Sequence, residues 1–485
     1  GGFQEVEQMN LFKDMVCYQE EVRDPSRMAE VLNRVIEKAI RGSAPAQINV
    51  PRDYWTQVID IELPPIIRLE RQAGGADAIN EAAKILSDAK FPVILSGAGV
   101  VIGGAIKDCV KLAEKLDSPV CSGYQHNDSV PGSHPLAVGP LGYNGSKAAM
   151  ELISQADVVL ALGTRLNPFS TLPGYGIDYS PKHAQLTQVD MHSDRRGITK
   201  KVTVAICGDA KMVSQQLLSK LSPKAGDTDR QKRKDLIHQT KSAWLQKLAS
   251  LDHEEDDPGT VWNKEARERD KDRMSPRQAW RAIQAGMPED VIISSDIGNN
   301  CAIGNAYPTF EKGRKYLAPG LFGPCGYGFP SILGAKIGCP DTPVIGFAGD
   351  GAFGISMNEM SSCAREEWPA ITMVIFRNYQ WGAEKRNTTL WFDNNFIGTE
   401  LDPELSYAKV ADACGLKGVT VKSMEETTAA IKKSCEDQKR GITTFIEVIL
   451  NQELGEPFRR DAMKKPVKVA GINKDDMKKQ TSLNS

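Results

Sequence analysis

Several features are scarce in this chain, and each scarcity removes a class of protein. No apolar run reaches the roughly 20 residues that a membrane-spanning helix needs. The opening residues carry no signal-peptide pattern. Lys and Arg number 60 against 62 Asp and Glu, a formal net charge of −2. That balance gives no electrostatic case for a nucleic acid or an anionic membrane as partner. Ten cysteines are scattered without a single CxxC pair. A zinc or disulfide framework is thereby disfavoured, and reduced thiols in a cytoplasmic enzyme are expected. A complete GxGxxG fingerprint is also missing: Gly97-Ala98-Gly99 is followed by Ile102 where the third glycine would stand. A structural glycine turn is therefore preferred to a nicotinamide dehydrogenase site. Asp190, at the end of an expected strand, suits a ribose ligand and a solvated acid equally well.

What remains is an ordinary globular composition, 41% hydrophobic and 25% charged, over 485 residues. That length implies two or three domains. The chain opens Gly-Gly-Phe-Gln-Glu without an initiator Met. Residues 1–60 read as the tail of an α/β domain, with a helix over 25–40 and a strand over 46–50. One helix and one strand cannot bury a core, so an N-terminal truncation is expected. Residues 76–222 alternate strands (91–96, 156–162, 186–190) with helices, a Rossmann-like doubly wound pattern. Residues 223–273 are polar and charged and read as a linker that packs in part, through a helix around Trp244, Leu245 and Leu248. A third block, 274–455, is expected to be a second doubly wound parallel-sheet domain, followed by a tail over 456–485.

The third block carries the chemistry. Ser275-Pro276 has the form of a helix start, an N-cap and a proline in the first turn. A strand over 291–295 leads into Gly298-Asn299-Asn300, a junction whose donors suit an anion. A glycine-rich loop over 320–328 precedes a helix over 330–337. Residues 342–348 form an apolar strand, 357–367 a helix, and 371–376 a second apolar strand. In a right-handed βαβ unit, Asp350 and Asn378 then emerge at the carboxyl ends of neighbouring strands. A carboxylate and an amide oxygen there suit a hard, octahedral Mg²⁺ completed by phosphate and water. Gly349 and Gly351 are expected to let the backbone approach those phosphates.

Gly349-Asp350-Gly351, a helix, an apolar strand and then Asn378-Tyr379-Gln380 together resemble the metal–diphosphate motif of thiamine-diphosphate (ThDP) enzymes, specifically the acetolactate-synthase-like family. Asp350 and Asn378 stand 28 positions apart, one more than is usual in that family. The resemblance implies side-chain metal ligation by Asp350 and Asn378, with the backbone carbonyl of Gln380. It implies cofactor contacts from Gly298, Asn299, Asn300, Gly323, Cys325, Gly349, Gly351 and Ala352. In the family a bulky residue at the position of Cys325 props the cofactor in its bent form. The smaller Cys325 is read as a buried apolar filler, in preference to a reactive nucleophile. The family's activating glutamate belongs to a pyrimidine-binding domain; Glu5, Glu7 and Glu20 lack its context, so it is expected upstream of Gly1. The catalytic residue is thus unassigned, and the chain alone is expected to be inactive.

Within the family, segments 377–393, 398–402 and 454–466 most resemble the sulfoacetaldehyde acetyltransferases, and that likeness extends over essentially the whole chain. It implies conversion of sulfoacetaldehyde and phosphate into acetyl phosphate and sulfite, through 2-acetyl-ThDP. Such anionic substrates call for fixed cations, and Lys385, Arg386, Arg459 and Arg460 are the candidates, with the first pair preferred. Tyr379 and Trp381 suit a pocket wall and core packing equally. A homodimer or homotetramer is implied, since family sites lie between subunits. The alternatives are acetolactate synthase, a flavin-bearing pyruvate oxidase, and a non-catalytic fragment.

Overall fold

A computed structural model describes residues 2–65, 69–171, 177, 183–222, 229–250, 270–320, 322–365, 367–392 and 395–452. They fall into two units, Gly1–Arg71 and Gln72–Ser485. In the first, strands β1 (Tyr18–Glu21) and β2 (Ala46–Asn49) pair in parallel. Helix Met28–Gly42 buries Val31 and Val35 against Val22. The expected helix over 25–40 is therefore a short 3₁₀ turn, Pro25–Arg27, leading into an α-helix. Strand β1 was not expected, because Tyr-Gln-Glu-Glu carries no apolar alternation to announce it.

The second unit contains two six-stranded parallel sheets. The central sheet is built from β3 (Pro92–Ser96), β4 (Val120–Ser122), β5 (Ala137–Pro140), β6 (Val158–Leu162), β7 (Gln185–Asp190) and β8 (Val204–Cys207), in the order β5-β4-β3-β6-β7-β8. Counted within the sheet this is 3-2-1-4-5-6, the Rossmann order, with its switch point between β3 and β6. Every residue of β3 and β6 is buried, as both-face coverage of a parallel sheet demands. The helical segment after β3 is two helices, Ala98–Ile102 and Ile106–Leu116, separated at Gly104, whose φ of 67° breaks the helix.

In the polar segment after residue 222, Arg230–Ser250 is one continuous helix. Trp244 and Leu248 are buried, as an amphipathic helix requires, but Leu245 faces out. Arg230 and Lys234 both pair with the buried Asp117 carboxylate at the end of helix Ile106–Leu116.

The second sheet comprises β9 (Ile292–Ser295), β10 (Tyr316–Leu317), β11 (Val344–Gly349), β12 (Thr372–Arg377), β13 (Lys417–Val421) and β14 (Thr444–Ile449), in the order β10-β9-β11-β12-β14-β13. Its switch point lies between β9 and β11. Helix Pro276–Gly286 opens this region with a capping box between Ser275 and Gln278. Its Trp280 is fully buried against Phe347 and Phe376, at ring distances of 4.7 and 5.3 Å. The Trp280 Nε1–H donates to the Asn300 carbonyl at 2.7 Å, so the core side chain also fixes the segment after β9.

The helix placed at 357–367 instead begins at Asp350 and runs to Ser356, with a 3₁₀ turn and a short helix, Met360–Cys363, after it. Two glycines in Asp-Gly-Ala-Phe-Gly-Ile-Ser hide its helical character. Tertiary packing restores it: Phe353 lies 5.5 Å from the Phe329 ring and 5.2 Å from the Tyr407 ring.

Candidate active site

Strands β9, β11 and β12 end side by side on one rim of the second sheet. Asp296, Ile297 and Gly298 follow β9, Asp350 follows β11, and Asn378 follows β12. Gly298 has φ of 113°, a conformation that effectively requires glycine, and leads into helix Asn299–Ile303. The segment after β9 and the loop after β12 meet at Gly382. A Cβ there would stand 3.3 Å from Asn299 Cβ, 3.7 Å from Asn378 Nδ2 and 3.7 Å from Gln380 Nε2. Sequence-remote residues are thus gathered as expected of a ligand site at a switch point.

Asp350 is almost fully buried. Its Oδ2 accepts from Arg377 Nη1 at 3.0 Å and from the Tyr379 amide at 2.7 Å. Oδ1 accepts from the Gly351 amide at 3.0 Å and makes no other hydrogen bond among the described residues. Burial pushes this carboxyl up to about 6, against the downward pull of the Arg377 guanidinium. Asn378 is equally buried, and among the described residues neither Oδ1 nor Nδ2 has a hydrogen-bond partner. A buried amide normally satisfies both atoms, so this pair marks a place for an absent group. The Asn300 Oδ1 is orphaned in the same way.

Around Gln380, which bridges Glu400, the ladder bonds run from Trp381 N to Thr399 O (2.8 Å) and from Leu401 N to Tyr379 O (2.9 Å), not through the Gln380 carbonyl. Gln380 Nε2 donates to the Gln452 carbonyl at 3.0 Å. Among the described residues no three His, Cys, Asp or Glu side chains cluster as a metal site. One carboxylate, one amide oxygen and one carbonyl cannot hold a hard cation alone, but they fit one that brings phosphate oxygens with it.

The two glycines beside Asp350 differ in role. A Cβ on Gly351 would lie 2.9 Å from the Trp381 indole, so this glycine lets the indole seat against the helix start. Gly349 faces open space with φ of −71°. Ala352 is buried on the same first turn. Tyr379, with φ of 60°, is sandwiched by guanidiniums, 4.2 Å from Arg377 and 4.8 Å from Arg273. For Tyr379 the packing role is the one observed.

The glycine-rich loop turns on left-handed residues Gly320, Gly323 and Gly326. Asp296 ties it to β9: its carboxylate accepts from Gly326 N (3.2 Å) and Gly328 N (2.7 Å). This acid was missed in the sequence because a strand-end aspartate looks solvated until its partners are known. The expectation that Cys325 is buried is overturned; it is exposed, because the left-handed turns carry the loop outward. Partial desolvation and the nearby Asp296 charge raise its thiol, the opposite of an activated nucleophile.

The candidate cations separate. Lys385 Nζ pairs with Glu400 Oε1 at 2.6 Å, and Glu400 also accepts from Gln452 Nε2 at 3.0 Å. Burial alone would raise Glu400, yet these partners hold it below its ordinary value. Arg386 instead reaches across to the central-sheet side, donating to the Tyr143 hydroxyl with its guanidinium 5.4 Å from the ring. Burial lowers its pKa. Arg459, Arg460 and segment 454–466 lie outside the described residues.

Two family models match the chain: the central domain of thiamine pyrophosphate enzymes over residues 79–217, and their C-terminal TPP binding domain over 296–448. The chain belongs to the thiamine pyrophosphate (thiamine diphosphate) enzymes. It is 76% identical to a protein of Rhizobium meliloti (strain 1021) named probable sulfoacetaldehyde acetyltransferase, over 100% of this chain and 82% of that one. It is 71% identical to the sulfoacetaldehyde acetyltransferase of Roseovarius nubinhibens, over 99% of this chain and 80% of the relative. In fold it resembles the crystal structure of benzoylformate decarboxylase from Polynucleobacter necessarius, with a TM-score of 0.71 at 19% identity, covering 92% of this chain and 78% of that one.

Proposed function

We propose that this chain is a ThDP- and Mg²⁺-dependent sulfoacetaldehyde acetyltransferase, forming acetyl phosphate and sulfite from sulfoacetaldehyde and phosphate. The observation that carries the substrate is the 76% identity, over the full chain, to a relative so named. The orphaned Asn378 amide beside Asp350 supports the metal. When bound, ThDP supplies a carbon nucleophile and an electron sink, which suits addition to an aldehyde and loss of sulfite.

The residues supply position and charge. Asp350 Oδ1, Asn378 Oδ1 and the Gln380 carbonyl would hold Mg²⁺. Gly298, Asn299 and Asn300 on one side of the switch point, and Gly349, Gly351 and Ala352 on the other, would take the diphosphate at two helix starts. Gly323 and Cys325 would border the cofactor from the glycine-rich loop. Because Lys385 is committed to Glu400, Arg386 is the better placed of the two to meet an oxyanion, and Arg459 and Arg460 remain candidates. Residues 76–222 and 274–455 are proposed as the central and diphosphate-binding domains, with 1–60 as part of a pyrimidine-binding domain. The glutamate that activates the aminopyrimidine is assigned to no residue here. A homodimer or homotetramer and a cytoplasmic setting belong to the same proposal.

The test is direct. The protein with ThDP and Mg²⁺ is given sulfoacetaldehyde and phosphate, and acetyl phosphate and sulfite are both quantified. Equimolar appearance of the two supports the proposal. Turnover of pyruvate to acetolactate without sulfite release from sulfoacetaldehyde would replace it with an acetolactate synthase.

A further inference from the structure

The last residue of β12 breaks the pattern of its strand. All six side chains of Thr372–Arg377 are buried, and five are ones a buried parallel strand readily accepts; the sixth is an arginine. A guanidinium that is 1% exposed needs acceptors; among the described residues both Nη atoms of Arg377 find hydrogen-bond partners, and Nε has an ion-pair neighbour only. Nη1 donates to Asp350 Oδ2 at 3.0 Å. Nη2 donates to the Leu405 carbonyl at 2.9 Å and to the Asp402 carbonyl. Nε lies 3.6 Å from Glu447 Oε1, a carboxylate itself held by the Tyr407 amide at 3.2 Å and the Ser406 hydroxyl at 2.7 Å. The Tyr379 ring at 4.2 Å and the Tyr407 ring at 5.5 Å flank the guanidinium plane. Gripped by two backbone carbonyls and two rings, the guanidinium has no room to swing away when a cation arrives.

From this geometry we infer that Arg377 makes Asp350 a one-oxygen metal ligand, and so selects a small octahedral dication over a larger one such as Ca²⁺. The inference rests on the proposal that Asp350 binds the metal. An ionised carboxylate oxygen offers two lone-pair sites. On Oδ2 both are taken, one by Arg377 Nη1 and one by the Tyr379 amide, whereas among the described residues Oδ1 carries only the Gly351 amide. Mg²⁺ uses single carboxylate oxygens at short distance in six-fold geometry; Ca²⁺ takes six to eight oxygens and readily accepts both from one carboxylate. With Oδ2 closed, Ca²⁺ loses its extra oxygen while Mg²⁺ loses nothing. Tyr407 supports the arrangement, its hydroxyl donating to the Asp350 backbone carbonyl at 2.9 Å. Arg377 acts through Asp350 and is a positioning residue, not a catalytic one.

The experiment measures metal affinity and not turnover. Metal-free protein in the presence of ThDP is titrated with Mg²⁺ and with Ca²⁺ by calorimetry, for the unaltered chain and for Arg377→Gln and Arg377→Lys, with a thermal melt of each. The unaltered protein should prefer Mg²⁺. In Arg377→Gln the Mg²⁺/Ca²⁺ affinity ratio should move toward Ca²⁺ by about tenfold, the scale of changes beyond the direct ligands of a metal. Arg377→Lys, which keeps a donor and the charge, should move it less. A ratio unchanged in Arg377→Gln, with both affinities shifted in parallel, would overturn the inference. So would an unaltered protein that binds Ca²⁺ as tightly as Mg²⁺, a result that needs no variant to fold. If neither ion bound at all, the metal assignment itself would fall instead.

Discussion

The two six-stranded sheets share an architecture and differ in what fills the crevice at their switch points. In the central sheet, Gly97 N bonds to Leu162 O at 3.0 Å and Gly99 N to Gly163 O at 2.9 Å, across the ends of β3 and β6. A Cβ on Gly97 would stand 2.5 Å from Thr164 Cβ and 2.6 Å from Gly163 O. Backbone packs on backbone there. In the second sheet, the ends of β9, β11 and β12 surround Gly298 and Gly349, which face open space, with the Asn378 amide and the Asn300 Oδ1, which have no hydrogen-bond partner among the described residues. Gly97 and Gly99 bring the chain against itself in one crevice, whereas Gly298 and Gly349 leave room in the other, even though Gly351 beside them is packed on Trp381. A glycine-rich strand end is therefore ambiguous until its neighbours are known.

The sharpest way to break this contrast is at Asp350. Asp350→Asn should weaken Mg²⁺-dependent ThDP binding by at least about 100-fold, more than loss of a supporting partner would. Unchanged affinity by calorimetry would remove the second crevice as the cofactor site. The same carboxylate predicts a pH effect. Its folded value, about 6, lies above the ordinary 3.8, so the folded apo-protein takes up this proton more readily than the unfolded chain. By this group alone, stability is greatest at and below pH 4, declines as pH rises from 4 to 6, and levels off above 6. Metal capture has the opposite slope, since it needs the ionised form. Affinity for Mg²⁺ should fall roughly tenfold per pH unit below 6 and level off above it; a flat profile from pH 5 to 7 would contradict the assignment.

Glycine substitutions test the contrast itself. Gly97→Ala should destabilise by about 1–3 kcal/mol, an overpacking penalty, with ThDP affinity unchanged. Gly349→Ala, placed in open space, should shift stability by less than about 0.5 kcal/mol, as ordinary surface changes do, yet weaken ThDP binding. Denaturant melts and calorimetry on both variants separate the two roles; the reverse pattern would show the crevices exchanged. Smallest of all is Lys385→Met. Because its partner is the half-exposed Glu400, the change should alter stability by less than about 1 kcal/mol. It should also leave the Michaelis constant for phosphate nearly unaltered in steady-state assays, whereas Arg386→Lys should raise it.

Much of the second sheet was legible in the sequence. Short unbroken apolar runs with Val and Ile, bounded by turn residues, fit strands buried on both faces, which located β11 and β12 to within two residues at either end. The spacing from Asp350 to Asn378 then followed from a single crossover. The helix between them was misplaced, because Gly351 and Gly354 lower helix propensity and only packing of Phe353 onto Phe329 and Tyr407 overrides it. Asp296 and Arg377 escaped notice for a related reason. A charged residue at a strand end looks solvated unless the loops that cover it are known, and those loops arrive from residues 326–328 and 402–405. Cys325 was misjudged because loop direction depends on the signs of φ at Gly320, Gly323 and Gly326.

Local sequence determined which residues stand at the carboxyl ends of which strands, since periodicity and turn chemistry act over a few residues. It thereby determined the family likeness and the placing of Asp350, Asn378 and Gln380, the proposed donor set. Tertiary structure alone decided which of those donors remain free. Hydrogen-bond saturation is a non-local property: Oδ2 of Asp350 is closed by an arginine 27 positions away, while both polar atoms of Asn378 have no hydrogen-bond partner among the described residues.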